Sequence, residues 1–372
     1  MAYESLFPES QLSAIRRDVA RFKEDHELGQ DEALAAAREI CELAGRGAPP
    51  ERVEEEVAFA AVARQRGLRC WRDAVFVLSL EEPGRALLDA ARRGDVEEAD
   101  RLLEETPGAI RPTARGEVAG GDQPDVALPL VQASRGVMRH GHGRGAAMAR
   151  LLLEAGADPS ANGWVAVISA ARFDQAELLG VLLDAGVPLD GPEGDSAWLA
   201  WALRDQARST AALLAGRGAR LDMIAAAGLG DLDAIARFVR PDGSLREGAG
   251  ALRRPLCPPR DPDDRQVILD EALVLAVING ERAAARRLVE LGADANGAPG
   301  GTDVPEATAL HWAAMLGDTA MVALLLALGA DPGVCDQRHG ETAAAWAAYY
   351  DHAPTAALLE RHAREPEGQR AA

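Results

Sequence analysis

The sequence predicts an all-α fold built from repeated pairs of short helices. The clearest pair lies between Ala307 and Asp331, where an Ala-rich segment and a Leu-rich segment flank the dipeptide Gly317-Asp318. In the Leu-rich segment the apolar residues recur at the three- and four-residue spacing of a helix face. Aromatic residues make up only 4% of the chain. Small side chains must therefore fill the space between closely stacked helices.

The ends of the two helices in this pair carry residues suited to those positions. Thr308 can cap the first helix, and Gly317 allows the chain to reverse where a larger residue would be strained. Gly329 can end the second helix in a left-handed conformation. A helix pair of this kind has apolar surface on two sides and cannot bury both by itself. It needs similar pairs stacked against it.

Similar pairs recur along the chain. Thr342 opens a copy of the first helix 34 residues after Thr308. The closing Gly-Ala-Asp recurs upstream at 292–294 and 156–158, with looser versions at 186–187 and 218–219. The central break recurs at 94–95, 230–231 and 280–281. A period near 33 residues with Thr-x-Leu-His-x-Ala at the helix start resembles the ankyrin repeat. Residues 308–313 carry this motif, with Ala309 where the family usually has Pro.

The resemblance implies an ankyrin-repeat solenoid of about eight helix-turn-helix repeats over residues 84–363, clearest over 269–363. In the family the Thr and His of the motif bond each other and nearby backbone, tying one repeat to the next. We therefore expect Thr308 and His311, with Gly317 and Gly329, to have structural roles.

The resemblance also indicates where a partner would bind. Ankyrin proteins usually meet partners with their finger tips and with the last exposed residues of each first helix. In this chain those positions are Met315, Leu316, Arg338, His339, Glu341, Tyr349 and Tyr350. Tyrosine offers a large contact area at low entropic cost. The alternative is that the two tyrosines merely cover the end of the array.

Residues 1–83 lack the repeat but carry four helix-like segments, near 12–22, 31–45, 50–67 and 74–80. The run from Ala63 to Trp71 resembles a segment that precedes the array in many bacterial ankyrin proteins. This region is either a helical cap on the first repeat, which solenoids require, or a small separate domain.

Three further segments depart from the regular repeat. The second repeat is predicted to have an enlarged turn, from Arg135 to Gly145. Residues 246–265 form a proline-rich insertion that is longer than a normal connection. The tail at 364–372 is expected to be disordered.

Charge and cysteine content restrict the environment and the partners. A net charge of −19 argues against nucleic acid and anionic membranes, since phosphate binding needs clustered Lys and Arg. The four cysteines have no paired spacing, which favours a reducing compartment. Residues 1–20 lack the pattern of a signal peptide and no apolar run reaches membrane length, so we expect neither a signal peptide nor a membrane helix. We expect a cytoplasmic monomer.

No catalytic or metal-binding pattern emerges from the sequence. His140 and His142 would give a metal two ligands where a site needs three or four. Cys335, Asp336 and His339 lie on a finger tip, where a metal site is again the weaker interpretation. No arrangement of nucleophile, base and orienting group is found. We therefore expect no enzyme, no cofactor and no metal.

The resulting hypothesis is a non-catalytic scaffold that binds an unknown protein partner through the concave face of the array. One alternative is an acidic inhibitor or immunity-type protein that neutralises a basic toxin or enzyme. A second is an adaptor with undetected chemistry in residues 1–83.

Overall fold

The structure is a computed structural model that describes residues 9–44, 53, 55–65, 82–110, 128–140, 142–194, 196–251, 264–299 and 307–364. Within these ranges the regular elements are helices, and extended pairing is limited to two isolated bridges, Val239 with Leu245 and Cys335 with Thr342. The predicted all-α class is confirmed. None of the described helices is long and apolar enough to cross a membrane.

The chain divides into two compact units, one formed by residues 1–170 and 177–187 and the other by 171–176 and 188–372. This division falls inside the predicted repeat array. The predicted boundary near residue 84 between an N-terminal region and the repeats stays a prediction.

Three helices open the first unit: α1 (Glu9–Glu27), α2 (Asp31–Leu43) and α3 (Glu55–Gln65). They pack against one another. Phe22 of α1, Ile40 of α2 and Val57 of α3 are buried. The fourth predicted segment, at 74–80, lies outside the described residues, as does most of the run from Ala63 to Trp71. Whether these helices cap the first repeat stays a prediction.

Three helix pairs follow. They are α4 (Glu82–Arg93) with α5 (Val96–Glu105), α6 (Pro129–His140) with α7 (His142–Glu154), and α8 (Ala161–Arg172) with α9 (Ala176–Asp184); a 3-10 turn, Pro107–Ile110, follows α5. The enlarged turn predicted at 135–145 is wrong, because α6 continues to His140 and α7 begins at His142. A glycine in a helix costs only about 1 kcal/mol, and the burial of side chains such as Val131 and Leu152 outweighs it.

Five helix pairs follow in the second unit. They are α10 (Ala197–Arg204) with α11 (Arg208–Gly216), α12 (Met223–Gly228) with α13 (Leu232–Arg237), α14 (Arg265–Ile278) with α15 (Arg282–Glu290), α16 (Ala309–Met315) with α17 (Thr319–Ala327), and α18 (Ala343–Tyr349) with α19 (Ala353–Arg364). The first helices α12, α14, α16 and α18 pack in succession, as do the second helices α15, α17 and α19. Residues 252–263 of the insertion and the tail beyond 364 lie outside the described part of the chain.

The Gly-Asp breaks between paired helices do more than interrupt the sequence. Asp231 accepts a hydrogen bond from the N–H of Ala234 at 2.8 Å. Asp318 accepts one from the N–H of Met321 at 2.9 Å. A carboxylate in this position satisfies an N–H that has no partner within the helix and complements the positive end of the helix dipole. Each dipeptide therefore both reverses the chain and starts the next helix.

The longest described helix of the second unit, α14, is buried without interruption from Ile268 to Ile278. Asp270 lies in this buried face and accepts hydrogen bonds from the N–H of Asp294 and from the side-chain amide of Gln266, both at 2.8 Å. Burial nevertheless raises the pKa of Asp270, against the opposing effect of those hydrogen bonds. The carboxylate fixes the loop that closes the same repeat.

Candidate functional site

The motif histidine joins the seventh repeat to the finger of the eighth. His311 is buried at the start of α16. Its Nδ1 accepts hydrogen bonds from the hydroxyl of Thr308 at 2.8 Å and from the N–H of Thr308 at 3.2 Å. Its Nε2–H donates to the carbonyl oxygen of Glu341 at 3.1 Å. These contacts require the neutral Nε2–H tautomer, and burial lowers the pKa of His311 accordingly.

The finger that His311 reaches is organised around a buried carboxylate. Asp336 accepts hydrogen bonds from the N–H of His339 at 2.7 Å, from the N–H of Glu341 at 3.2 Å, and from the indole Nε1–H of Trp346 at 3.1 Å. Burial acts to raise the pKa of Asp336, but these hydrogen bonds outweigh it and hold the pKa below its usual range. The carboxylate thereby fixes both the turn of the finger and the indole of α18.

The turn of the seventh repeat contacts the eighth repeat closely. Gly317 has a φ of 66°, and a Cβ added there would lie 2.6 Å from Nδ1 of His352. The His352 ring is held in place by donating its Nε2–H to the carbonyl oxygen of Met315 at 3.0 Å. Gly329, with a φ of 94°, has open space around its α-carbon. Of these two glycines, only Gly317 is therefore required by both the backbone and a neighbouring side chain.

Beside this network lies a groove of about 550 Å³, here called the α18 groove, lined by Met315, His339, Glu341, Ala345, Trp346, Tyr349 and Tyr350. Trp346 is mostly buried, and its ring lies edge-on to the ring of His339 with centroids 6.4 Å apart. Tyr349 is 82% exposed and Tyr350 47% exposed, with their rings edge-to-face at 5.1 Å. The groove therefore combines a fixed indole with two accessible phenol rings.

Five of the seven residues predicted to meet a partner line this groove: Met315, His339, Glu341, Tyr349 and Tyr350. Leu316 does not, because it is the half-buried C-terminal cap of α16. Arg338 is exposed on the finger but does not line the groove. Whether any of these residues binds a partner stays a prediction.

Sequence reasoning missed two of the lining residues, Ala345 and Trp346. Ala345 lies four positions before Tyr349, and Trp346 lies four positions before Tyr350. Residues four apart lie on the same side of a helix, so this spacing was the signal that could have found them. The small side chain of Ala345 leaves room beside Tyr349, which a larger residue would fill.

No group of three or more His, Cys, Asp or Glu residues able to hold a metal occurs in the described ranges. Cys335 is an exposed cysteine, and Cys41 is a buried one. His339 lies with its Nδ1 3.2 Å from Asp336 as part of the finger turn. The side chains of His140 and His142 lie outside the described part.

A second cavity, of about 590 Å³, lies among the N-terminal helices α1, α2 and α3. Polar side chains dominate its lining, which includes the acidic residues Asp18, Asp25, Asp31 and Glu32 and the basic residue Arg21. Its acidic residues lie at helix surfaces, where solvation accounts for them. No nucleophile paired with a base lines this cavity.

Comparison with known families identifies the repeats. Residues 222–336 and 273–369 match a family model described as ankyrin repeats in three copies. The curated proteins include no match. Among solved structures, the chain is similar to the human ASB11 ankyrin repeat domain, with 17% sequence identity, coverage of 73% of this chain and 96% of that one, and a TM-score of 0.36. From the family match, which includes the repeats that form the α18 groove, we conclude that residues 222–369 consist of ankyrin repeats.

Proposed function

We propose that this protein is a non-catalytic interaction module that holds a protein partner in the α18 groove. The observation that carries the proposal is the pair of exposed aromatic rings, Tyr349 and Tyr350, at the edge of a fixed groove. Ankyrin repeats commonly mediate protein–protein interactions, which supports the class of function. The location of the binding face is our inference from the groove.

The physical argument begins with exposure. Large aromatic side chains are usually half or more buried in folded proteins, since each can bury 150–250 Å². Tyr349, at 82% exposed, has most of that area still available. Binding energy concentrates in a few aromatic and arginine side chains that become buried at the centre of an interface. The two tyrosines are residues of the type that forms such a centre.

Rigidity of the surrounding residues supports the same location. The indole of Trp346 is fixed by its hydrogen bond to Asp336, and the finger is fixed by the bond from His311 to the Glu341 carbonyl. A partner that binds here orders few side chains beyond the two tyrosines. Pre-organisation of this kind reduces the entropic cost of association.

The test begins with an affinity pull-down from the native host, identification of the captured protein, and measurement of its affinity for the purified full chain. Changing Tyr349 and Tyr350 together to Ala is expected to weaken binding by about 2 kcal/mol or more, roughly 30-fold. The matched control replaces Phe173 and Leu232 by Ala. These residues are also exposed, at 40% and 42%, and do not line the groove, so this variant is expected to bind like the parent.

The proposal fails if the double tyrosine variant, still folded by circular dichroism, binds as tightly as the parent. In that case the upstream surface formed by residues 223–251 becomes the better location.

The net charge of −19 favours a second candidate of the same general class, an acidic inhibitor or immunity-type protein directed at a basic toxin or enzyme. Long-range attraction between opposite charges raises association rates and falls steeply with salt. A captured partner with a high isoelectric point, bound with an association rate that drops sharply between low and physiological salt, would favour this candidate.

A further inference from the structure

We propose that the α18 groove receives an arginine side chain from a positively charged peptide segment of the partner. This inference rests on the proposed function, since it names the chemistry of what the groove binds. It follows from three features of the groove: its aromatic faces, its carboxylate, and the absence of any Lys or Arg among the residues that line it.

The aromatic faces come from two directions. Tyr349 and Tyr350 contribute accessible rings that stand nearly perpendicular, with an interplanar angle of 83°. Trp346 lies at the inner side of the groove. The face of an aromatic ring attracts a cation through its quadrupole, most strongly for Trp and Tyr. Two perpendicular phenols beside an indole present such faces to one small volume.

The carboxylate comes from Glu341, which lines the same groove. Its main chain helps to hold the finger in place: the N–H donates to the carboxylate of Asp336, and the carbonyl oxygen accepts from Nε2–H of His311. Its side chain is exposed and forms no ion pair with a described residue. Asp336 adds negative charge beneath the groove, but its oxygens are already used by the indole and the finger N–H groups. Glu341 is therefore the carboxylate available to a ligand.

Arginine fits this combination better than lysine. A guanidinium is planar, stacks on aromatic faces and can bond a carboxylate through two parallel N–H groups. An ammonium is compact and strongly hydrated, so it loses more solvation on entering a partly apolar groove. None of the residues that line the groove is Lys or Arg, and the chain as a whole carries −19. An anionic or phosphorylated segment would meet repulsion here.

The test uses the full-length ¹⁵N-labelled protein and two short peptides. One is acetyl-Gly-Ser-Ala-Arg-Ala-Ser-Gly-amide, and the other carries citrulline, the neutral isostere, in place of arginine. The indole N–H signal of Trp346 is identified by its loss in a Trp346→Phe variant. The arginine peptide is expected to shift this signal progressively and to bind at least about fivefold more tightly than the citrulline peptide.

Charge variants of the protein separate the carboxylate from general acidity. Glu341→Gln is expected to weaken the arginine peptide about fivefold. Glu247→Gln removes the same charge from an exposed position outside the groove and is expected to leave the affinity unchanged. Equal losses in both variants would attribute binding to the net charge alone and would overturn the inference.

Two further results would also overturn it: equal affinities for the arginine and citrulline peptides, or no shift of the Trp346 signal up to about 10 mM peptide. Neither result tests the proposed function, which predicts that the double tyrosine variant binds the captured partner more weakly than the parent does. A different result would separate the two proposals: the double tyrosine variant binds the partner as tightly as the parent does, while the parent binds the arginine peptide in its groove. The proposed function would then fail, and only the affinity of the groove for arginine would be supported.

Discussion

The seventh and fifth repeats show how one architecture is held by different contacts. Both use a Gly-Asp turn, with φ of 66° at Gly317 and 70° at Gly230, and both start the second helix with an Asp cap. They differ at the first helix. In the seventh repeat the side chain of His311 bonds the carbonyl of Glu341 in the following finger. In the fifth, the main-chain N–H of Met223 bonds the carbonyl of Ala249 at 2.9 Å.

This difference explains why the seventh repeat carries a recognisable motif in its sequence and the fifth repeat does not. A hydrogen bond from a side chain requires a particular residue type, which can be recognised in the sequence. A hydrogen bond from the main chain can be formed by almost any residue and cannot be recognised in this way. The fifth repeat keeps a connection to its following finger without the motif histidine, and Asp222 caps α12 through the N–H of Ala225 at 2.8 Å. Loss of the motif therefore does not mean loss of the link.

The two turn glycines provide the largest expected contrast. Gly317→Ala should destabilise the fold by about 3 kcal/mol, because the left-handed backbone disfavours a Cβ and the fixed ring of His352 cannot move away easily. Gly230→Ala should cost only about 1–2 kcal/mol, since its new Cβ meets the carboxylate of Glu281, the end of a flexible side chain. Urea unfolding of both variants measures the difference, and equal losses would remove the role assigned to His352.

Replacement of the motif histidine tests the link itself. His311→Ala should destabilise the fold by about 2 kcal/mol, because the hydroxyl and N–H of Thr308 and the carbonyl of Glu341 lose a buried partner. Chemical denaturation monitored by circular dichroism measures this loss. The intrinsic contact surface should survive, so a variant with full stability but no partner binding would mean that the histidine is functional instead.

The caps of the second helices should differ by a smaller amount. Asp318 also pairs with Arg282 of the preceding repeat at 2.7 Å, and although burial acts to raise its pKa, the hydrogen bonds from Arg282 and Met321 hold that pKa low. Asp231 approaches Arg237 only at 4.0 Å. Each Asp→Ala change should cost about 1 kcal/mol for the cap, and Asp318→Ala about 0.5 kcal/mol more for the ion pair. Salt screens the helix-dipole part of both caps alike, so raising the salt concentration should reduce the difference between the two variants.

The smallest expected effect is a pH dependence that the seventh repeat has and the fifth lacks. Burial lowers the pKa of His311 below its unfolded value of 6.5, so below that pH the unfolded chain binds a proton that the folded chain resists. The stabilisation from neutral His311 is fully present above pH 6.5 and is lost as the pH falls toward the folded pKa. The difference in the free energy of unfolding between the parent and His311→Ala should therefore be smaller at acidic pH. A constant difference would contradict the neutral form.

Much of the fold could be predicted because its signals are local. Helix periodicity, the Gly-Asp turns and the opening at Thr308 each depend on residues a few positions apart. The enlarged turn at 135–145 was predicted wrongly, because glycine lowers helix propensity by an amount that packing can outweigh. Contacts such as Arg282 with Asp318 could not be read from the sequence, since the fold brings together residues far apart in the chain.

The candidate site was predictable only in part, for the same reason. The exposed positions of Tyr349 and Tyr350 follow from their place at the end of a first helix. The hydrogen bond from Trp346 to Asp336 does not, because either residue alone reads as an ordinary core or turn residue. Leu316, expected among the exposed residues at the end of the first helix, is the half-buried C-terminal cap of α16.

The most direct test of the central claim is hydrogen exchange of the full-length protein, alone and in complex with the partner captured from the host. Binding in the α18 groove predicts slower exchange of backbone amides at 336–350, with 223–251 unchanged. Amides of the finger at 336–342 should be protected together with those of α18, because His311 and Asp336 couple them. Protection confined to 223–251, with none at 336–350, would contradict the claim.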